Sequence, residues 1–189
     1  KSVSSVYSLH VLKCGTVSCS PNSTNTITLV HSTGTNLYST SITIGADGLP
    51  VVAYIDAEGG FRIAKCGNAY CNASNVFTLV QSGIGNSAGT ETSIAIGQDG
   101  LPIATYSHAT NADLQVVKCG NIACSTGNTI TTVDSTGSIG VYSTIAVPSD
   151  GLPVIGYIDG GTNDDLMVVK CGNIACSTGN TITRLDTTA

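Results

Sequence analysis

Hydrophobic and polar residues alternate along the chain with the period of two that is typical of β-strands, and no segment keeps a helical period. Three segments alternate strictly, with apolar residues at Ile42 and Ile44, at Ile94 and Ile96, and at Ile145 and Val147. This pattern predicts strands that bury one face. Each is followed by an almost continuously apolar segment, such as residues 51–55, which predicts a strand covered on both faces. The chain is therefore expected to be all-β.

Turns separate these segments at regular intervals. The tetrapeptide Asp-Gly-Leu-Pro follows each alternating segment, beginning at Asp47, Asp99 and Asp150. In such a turn the Asp side chain bonds to the backbone and the Gly takes a positive φ. The first full repeat then reads as four strands, at residues 38–44, 50–55, 61–66 and 76–80.

A cysteine pattern recurs four times, with Lys before the first cysteine and four residues between the two cysteines. Successive first cysteines lie 52, 53 and 52 residues apart. Two residues that flank a four-residue turn face each other across a hairpin, within the Cα separation of about 4.5 to 6.8 Å that a disulfide tolerates. The repetition predicts the disulfides Cys14–Cys19, Cys66–Cys71, Cys119–Cys124 and Cys171–Cys176. Zinc is the alternative, but it needs two such pairs brought together.

The repeats form a single repeat domain, residues 1–189. Residues 1–33 match only the second half of a repeat, whereas residues 34–85, 86–137 and 138–189 are full repeats. A period near 52 with four short antiparallel strands favours β-propeller-like blades, with strand one at the axis and strand four at the rim. A β-solenoid is the competing architecture, but hairpins with Asp-Gly turns favour blades.

Three recurrent motifs carry a resemblance to known repeats: Asp-Gly-Leu-Pro, Val-Val-Lys-Cys-Gly-Asn-Ile-Ala-Cys and Asn-Thr-Ile-Thr. The chain resembles tandem cysteine-containing repeats of secreted bacterial proteins of unassigned function, which are generally expected to be β-propellers. The resemblance covers almost the whole chain. It implies a fold and a location, and it implies no activity.

Charged residues are sparse, with seven Lys and Arg, twelve Asp and Glu and a net charge of −5. Nucleic-acid partners are not expected, because they require clustered cations that displace phosphate counterions. No run of about 18 apolar residues exists, so no membrane span is expected. Because disulfides persist in oxidising compartments, we expect an extracellular location, either secreted or at the cell surface.

The sequence contains no catalytic constellation, and we expect no enzyme activity, cofactor or metal site. His10, His31 and His108 occupy different repeat positions and are interpreted as surface or strand residues. The Asp-Gly turns offer one carboxylate each, too few for calcium. The segment from Asp159 to Asp165 holds more acids, but the other repeats do not keep them, so it is interpreted as an ordinary hairpin loop.

Two other residue types recur at fixed repeat positions. Lysines precede the first cysteines, at Lys13, Lys65, Lys118 and Lys170. Tyrosines recur in strand two, at Tyr54, Tyr106 and Tyr157. We interpret the lysines as strand residues with packed stems and solvated head groups. The tyrosines are candidates for stacking on sugars, but an aromatic residue on a buried strand favours a core role.

Asn22 and Asn72 each begin an Asn-X-Ser/Thr sequence shortly after the second cysteine of a repeat. This pattern makes both asparagines candidate glycosylation sites. The corresponding segments of the last two repeats are rich in Ser and Thr but lack the acceptor pattern.

The leading functional hypothesis is a non-catalytic extracellular structural or adhesive repeat protein, a candidate subunit of a self-assembling, glycosylated fibre. The alternative is a carbohydrate-binding, lectin-like propeller with a similar pocket in each blade. A glycoside-active enzyme is disfavoured, because such enzymes need clustered carboxylates and the acids here are scattered.

Self-association is expected through the N-terminal half repeat. Its hairpin, residues 9–30, lacks strands one and two, and three full blades plus one hairpin are too few for an ordinary closed ring. The segment from Lys1 to Ser8 is then a candidate for adding to a sheet edge of a neighbouring copy. The rival is a four-bladed monomer in which this segment is an inner strand of its own blade.

Overall fold

The computed structural model describes residues 8–21, 23–32, 37–85, 91–137, 139–161 and 164–186. Within these residues the chain forms fourteen strands and no helix. The strands make one two-stranded and three four-stranded sheets, all antiparallel. The predicted all-β class is confirmed, with three four-stranded blades after an N-terminal hairpin.

Strand order in each sheet follows the chain. Sheet 1 consists of β1 (Leu9–Lys13) and β2 (Thr26–His31). Sheet 2 consists of β3 (Leu37–Ile44), β4 (Pro50–Asp56), β5 (Phe61–Lys65) and β6 (Val76–Gln81). Sheet 3 consists of β7 (Thr92–Ile96), β8 (Pro102–His108), β9 (Asp113–Lys118) and β10 (Thr129–Asp134). Sheet 4 consists of β11 (Ile139–Ala146), β12 (Val154–Asp159), β13 (Asp165–Lys170) and β14 (Thr181–Arg184). The predicted strands of the first full repeat agree with β3 to β6 to within one residue at each end.

The four sheets pack face to face in chain order, and each of three apolar clusters lies between two consecutive sheets. Sheets 1 and 2 share a cluster that includes Val11 and Tyr54. Between sheets 2 and 3 the rings of Phe61 and Tyr106 stack with centroids 4.1 Å apart. The first strands β3, β7 and β11 also contact one another in sequence, as the axial strands of blades do. The described strands form a fan of sheets and no closed ring.

The second strand of each sheet was predicted to be covered on both faces. This prediction is confirmed for sheets 2 and 3 and is wrong for sheet 4, at the end of the fan. Every residue of β4 and of β8 is buried. In β12 buried and half-buried residues alternate over Val154 to Tyr157. The reason is that sheet 4 has a neighbouring sheet on one face only among the described residues.

Strand one shows the same dependence on neighbours. Ile94 and Ile145 are 6% and 7% exposed, because each packs in a cluster with the preceding sheet. Ile42 holds the same repeat position in β3 but is 54% exposed. The expectation that β3 buries its isoleucines is therefore wrong, since the hairpin of sheet 1 supplies no inner strands to cover them.

All four predicted disulfides are present, with Cα separations of 4.7 to 4.9 Å. The second cysteine of each pair has a positive φ, which is uncommon for a residue with a Cβ. Asparagines stabilise this turn. In the second full repeat, the Asn128 side chain accepts a hydrogen bond from the Gly120 amide at 3.1 Å and donates one to the Cys124 carbonyl at 2.6 Å. The recurrent Asn of the motif therefore has a local structural role.

Candidate interaction faces

Each interface between consecutive sheets contains a buried tyrosine from strand two of the later sheet. The hydroxyl of each tyrosine meets the last residue of the outer strand in the preceding sheet: Tyr54 meets His31 at 2.7 Å, Tyr106 meets Gln81, and Tyr157 meets Asp134 at 2.6 Å. The favoured core role of the tyrosines is confirmed by their burial. These hydrogen bonds join residues of different blades, so they hold neighbouring sheets together at the rim.

The tyrosines stay protonated at neutral pH. Burial raises the pKa of all three phenols, and that of Tyr54 reaches about 12. At Tyr157 the hydrogen bond to the Asp134 carboxylate raises the pKa further. Burial also lowers the pKa of His31, with a smaller contribution from Arg62, which favours a neutral imidazole beside Tyr54. The described interfaces are thus joined by uncharged hydroxyls.

The recurrent lysines pair with the aspartates of the Asp-Gly turns in all three full repeats. The Nζ–Oδ2 distances are 2.9 Å for Lys65–Asp47, 2.9 Å for Lys118–Asp99 and 2.7 Å for Lys170–Asp150. The interpretation of solvated head groups is therefore wrong for Lys65 and Lys118, whose side chains are buried. The other carboxylate oxygen of each aspartate accepts from the amide two residues on, at 3.1 Å. In the described part of the chain, no group of three or more His, Cys, Asp or Glu is arranged to hold a metal ion.

We expect Asp99→Asn to lower the free energy of unfolding by about 1 to 2 kcal/mol at pH 7, because it removes the charged partner of Lys118 while Asp99 itself is partly screened by water. Desolvation alone would raise the pKa of Asp99, but the hydrogen bonds from Lys118 and the Leu101 amide hold it below its ordinary value. The stabilisation is therefore complete above the ordinary pKa of about 3.9 and disappears as the pH falls through the lower pKa of the folded state. Urea unfolding of both proteins between pH 2 and 7 measures the difference.

The matched control is Asp150→Asn in the last repeat. The side chains of Lys170 and Asp150 are 40% and 54% exposed, so water screens this pair more and a clearly smaller loss is expected there. Equal losses for the two variants would contradict a stabilising role that depends on burial.

Lys13 differs from its three counterparts. It is exposed, and its Nζ donates to the Cys14 carbonyl at 3.2 Å. The half repeat contains no Asp-Gly turn, and the described residues provide no carboxylate within ion-pair distance of Lys13.

A cleft of about 280 Å³ lies beside β1, and we call it the N-terminal cleft. Its lining residues are Leu9, His10, Val11, Leu12, Thr40, Ser41, Ile42 and Val52. They come from β1, β3 and β4, so the cleft occupies the place where strands one and two of a complete blade would pack against sheet 2. The exposure of Ile42 follows from this cleft.

The opposite end of the fan is the outer face of sheet 4, formed by Val154, Ile158, Leu166 and Val168. The same repeat positions in sheet 2 are Val51, Ile55, Phe61 and Ile63, which are fully buried against sheet 3. Leu166 is 41% exposed, whereas its counterpart Leu114 in sheet 3 is 0% exposed against sheet 4. The outer face of sheet 4 therefore presents the same repeat positions that sheets 2 and 3 bury against the sheet that follows them.

The three histidines lie in separate places, as interpreted from the sequence. His10 is exposed and lines the N-terminal cleft. His31 stacks on Phe77 with centroids 4.9 Å apart. His108 is buried, and its Nδ1 accepts a hydrogen bond from the Asn111 amide at 3.3 Å.

The acid-rich loop of the last repeat forms local contacts. Asp159 accepts from the Gly161 amide at 3.1 Å, and Asp165 forms an ion pair with Arg184 at 2.5 Å. The Arg184 pair joins β13 to β14, so at least one of these acids holds the sheet together. The described part of this loop therefore agrees with an ordinary hairpin loop.

Of the two candidate glycosylation sites, Asn72 lies within the described residues. Asn72 is exposed, and its side-chain oxygen accepts from Asn68 at 2.7 Å. Asn22 lies outside the described residues, as does the segment from Lys1 to residue 7. The predictions for glycosylation and for this segment stay predictions.

Sequence reasoning missed the hydrogen-bond partners of the three tyrosine hydroxyls. They are His31, Gln81 and Asp134, which differ in residue type, so no motif marks them. Their position in the repeat was the available signal, because each partner follows the recurrent Asn of its repeat by six residues. The same register places Asp186 at the end of the last repeat.

Comparison with models of known protein families gives no match, and no curated protein is significantly similar to the chain.

The described residues contain no helix with the length and hydrophobicity needed to cross a membrane. The four disulfides indicate folding in an oxidising environment.

Proposed function

We propose that this chain is a non-catalytic, extracellular structural or adhesive repeat protein whose copies associate end to end. The observation that carries the proposal is the outer face of sheet 4, which matches buried internal faces position by position and is not covered by any other sheet of the described residues. Exposed apolar faces of this kind are typical of protein–protein contacts.

The other end of the fan supplies a complementary face. Leu12 in β1 is 52% exposed, whereas Ala64, Val117 and Val169 at the same repeat position are fully buried against the preceding sheet. The Cys14–Cys19 disulfide is also more exposed than its three counterparts. Sheet 1 of one copy can thus pack on sheet 4 of another in the manner of consecutive sheets within the chain.

The two faces are different, so the contact is heterologous. Such a contact propagates into a filament unless its rotation closes a ring. The segment from Lys1 to Ser8 directly precedes β1, and we include it in the contact as a strand that adds to a sheet edge of the neighbouring copy. The disulfides support the proposed extracellular location, and glycans at Asn22 or Asn72 would lie in the turn beyond the second cysteine.

Leu166→Arg tests the end-to-end contact. We expect light scattering to detect large species of the wild-type protein at high concentration, and a charged side chain on the outer face of sheet 4 should abolish them. Deletion of residues 1–8 should weaken the same assembly. Circular dichroism checks that each variant keeps its β-structure.

Ile182→Arg is the matched control, because Ile182 is also 41% exposed. Ile182 pairs with Val169, which faces sheet 3, so it lies on the opposite face of sheet 4 from Leu166. Assembly should survive this change. A wild-type protein that stays monomeric at high concentration would overturn the proposed function.

The lectin-like alternative has less support. The tyrosines that would stack on sugars are buried between sheets and bonded through their hydroxyls. Binding of one glycan per repeat on a glycan array would nevertheless replace the structural proposal with the lectin-like one.

A further inference from the structure

We propose that the N-terminal cleft binds a β-hairpin whose two extended segments are joined by an acidic Asp-Gly turn. The hairpin has the character of the first half of this chain's own repeat. Binding completes the blade that sheet 1 begins. This inference does not require the end-to-end association proposed above.

The first observation is the edge of β1. Strand three of each four-stranded sheet pairs on both sides, so that β9 pairs with β8 and β10. At the same repeat position β1 pairs with β2 only, among the described residues. An unpaired strand edge presents backbone donors and acceptors to an added strand.

The second observation is the lining of the cleft beside Ile42. The Ile94 and Ile145 amides donate to the hydroxyls of Ser41 and Ser93 in strand one of the preceding sheet, each at 3.2 Å. Ile42 stands at the same repeat position, with its side chain half exposed in the cleft. In a bound hairpin, a serine at the repeat position of Ser41 and Ser93 would accept a hydrogen bond from the Ile42 amide. The hairpin would also cover the Ile42 side chain, as strand one of the preceding sheet does in the inner blades.

The third observation is the charge at the end of β1. Each of the other three recurrent lysines bonds an aspartate from the turn between strands one and two of its own blade, at 2.7 to 2.9 Å. In sheet 1 that turn is absent and Lys13 is exposed. An Asp-Gly turn delivered by the bound hairpin would place its carboxylate at Lys13.

These observations select the occupant. Backbone pairing at β1 supplies affinity for any extended segment, whereas the cleft and Lys13 supply the preference for apolar alternation and an acidic turn. Residues 1–8 contain no acid, so this segment cannot supply a carboxylate to Lys13. The occupant is therefore a hairpin with the apolar alternation and the Asp-Gly turn of the first half of a repeat.

A labelled peptide with the sequence of residues 91–108 tests the proposal on the full chain. It contains Ser93, Asp99 and the apolar positions of β7 and β8. Saturable binding is expected by fluorescence anisotropy. Asp99→Asn in the peptide and Lys13→Gln in the protein should each weaken binding on the order of fivefold, and the two together should weaken it no further, because they remove the same ion pair.

Two protein variants serve as controls. Lys170→Gln changes an equivalent lysine that already has an aspartate, and it should leave binding unchanged. Leu166→Arg should also bind the peptide normally, so that the result is independent of end-to-end assembly. Ile42→Arg, in contrast, should weaken binding by blocking the cleft.

Three results would overturn the proposal. The first is the absence of saturable binding at millimolar peptide. The second is binding that is insensitive to both Asp99→Asn and Lys13→Gln. The third is binding that appears only after residues 1–8 are deleted, since the chain's own N-terminal segment would then be the occupant.

Discussion

Replacing Ile94 by Ala is expected to lower the free energy of unfolding by about 2 to 4 kcal/mol. Ile94 is almost fully buried in the cluster between sheets 2 and 3. Because the surrounding strands are tied into two sheets, they cannot collapse fully into the space that the side chain leaves. Equilibrium unfolding in urea measures the loss.

Ile42→Ala is the internal control for this prediction. The residue type, the strand and the repeat position are the same, but Ile42 is half exposed at the N-terminal cleft. We expect a loss in the free energy of unfolding below about 1 kcal/mol, because the half-exposed Ile42 side chain buries little apolar surface in the folded state. Thr129→Ala on the outer strand β10 should likewise have a small effect. Similar losses at Ile94 and Ile42 would mean that the fan of sheets is not packed as described.

Tyr157→Phe is expected to lower the free energy of unfolding by about 2 to 3 kcal/mol, because hydrogen bonds to charged groups contribute most among hydrogen bonds. The variant leaves the ring in place between sheets 3 and 4 but removes the hydroxyl that donates to Asp134. Asp134 is buried, so its carboxylate loses a donor that water cannot readily replace. Urea unfolding at pH 7 tests this expectation.

Tyr54→Phe removes the equivalent hydroxyl at the first interface. Its partner His31 is only partly buried and the pKa of His31 is lowered by burial, so the hydroxyl bonds to an uncharged ring near water. A loss of about 1 kcal/mol is expected. If this variant were as unstable as Tyr157→Phe, the charge of Asp134 would not explain the larger effect.

Local pairing explains why much of the fold was predictable from the sequence. The strands of the first full repeat, the Asp-Gly turns and the four disulfides all depend on contacts between residues that are close along the chain. The repetition then strengthened each local inference, because the same pattern occurs in several copies. The candidate faces were predicted only as a missing half blade at the N-terminus.

The amino-acid sequence by itself therefore determined the strands of the blades and the four disulfides, since alternation, turn residues and cysteine spacing act within a single hairpin. Only the tertiary structure decided which copy of a repeated residue is buried and what it contacts. Ile42 and Ile94 share one pattern but differ in exposure, because a complete blade precedes Ile94 and a two-stranded hairpin precedes Ile42. The acceptor of Tyr157 was also unpredictable, since Asp134 belongs to the preceding repeat and meets the hydroxyl only because two different sheets pack together.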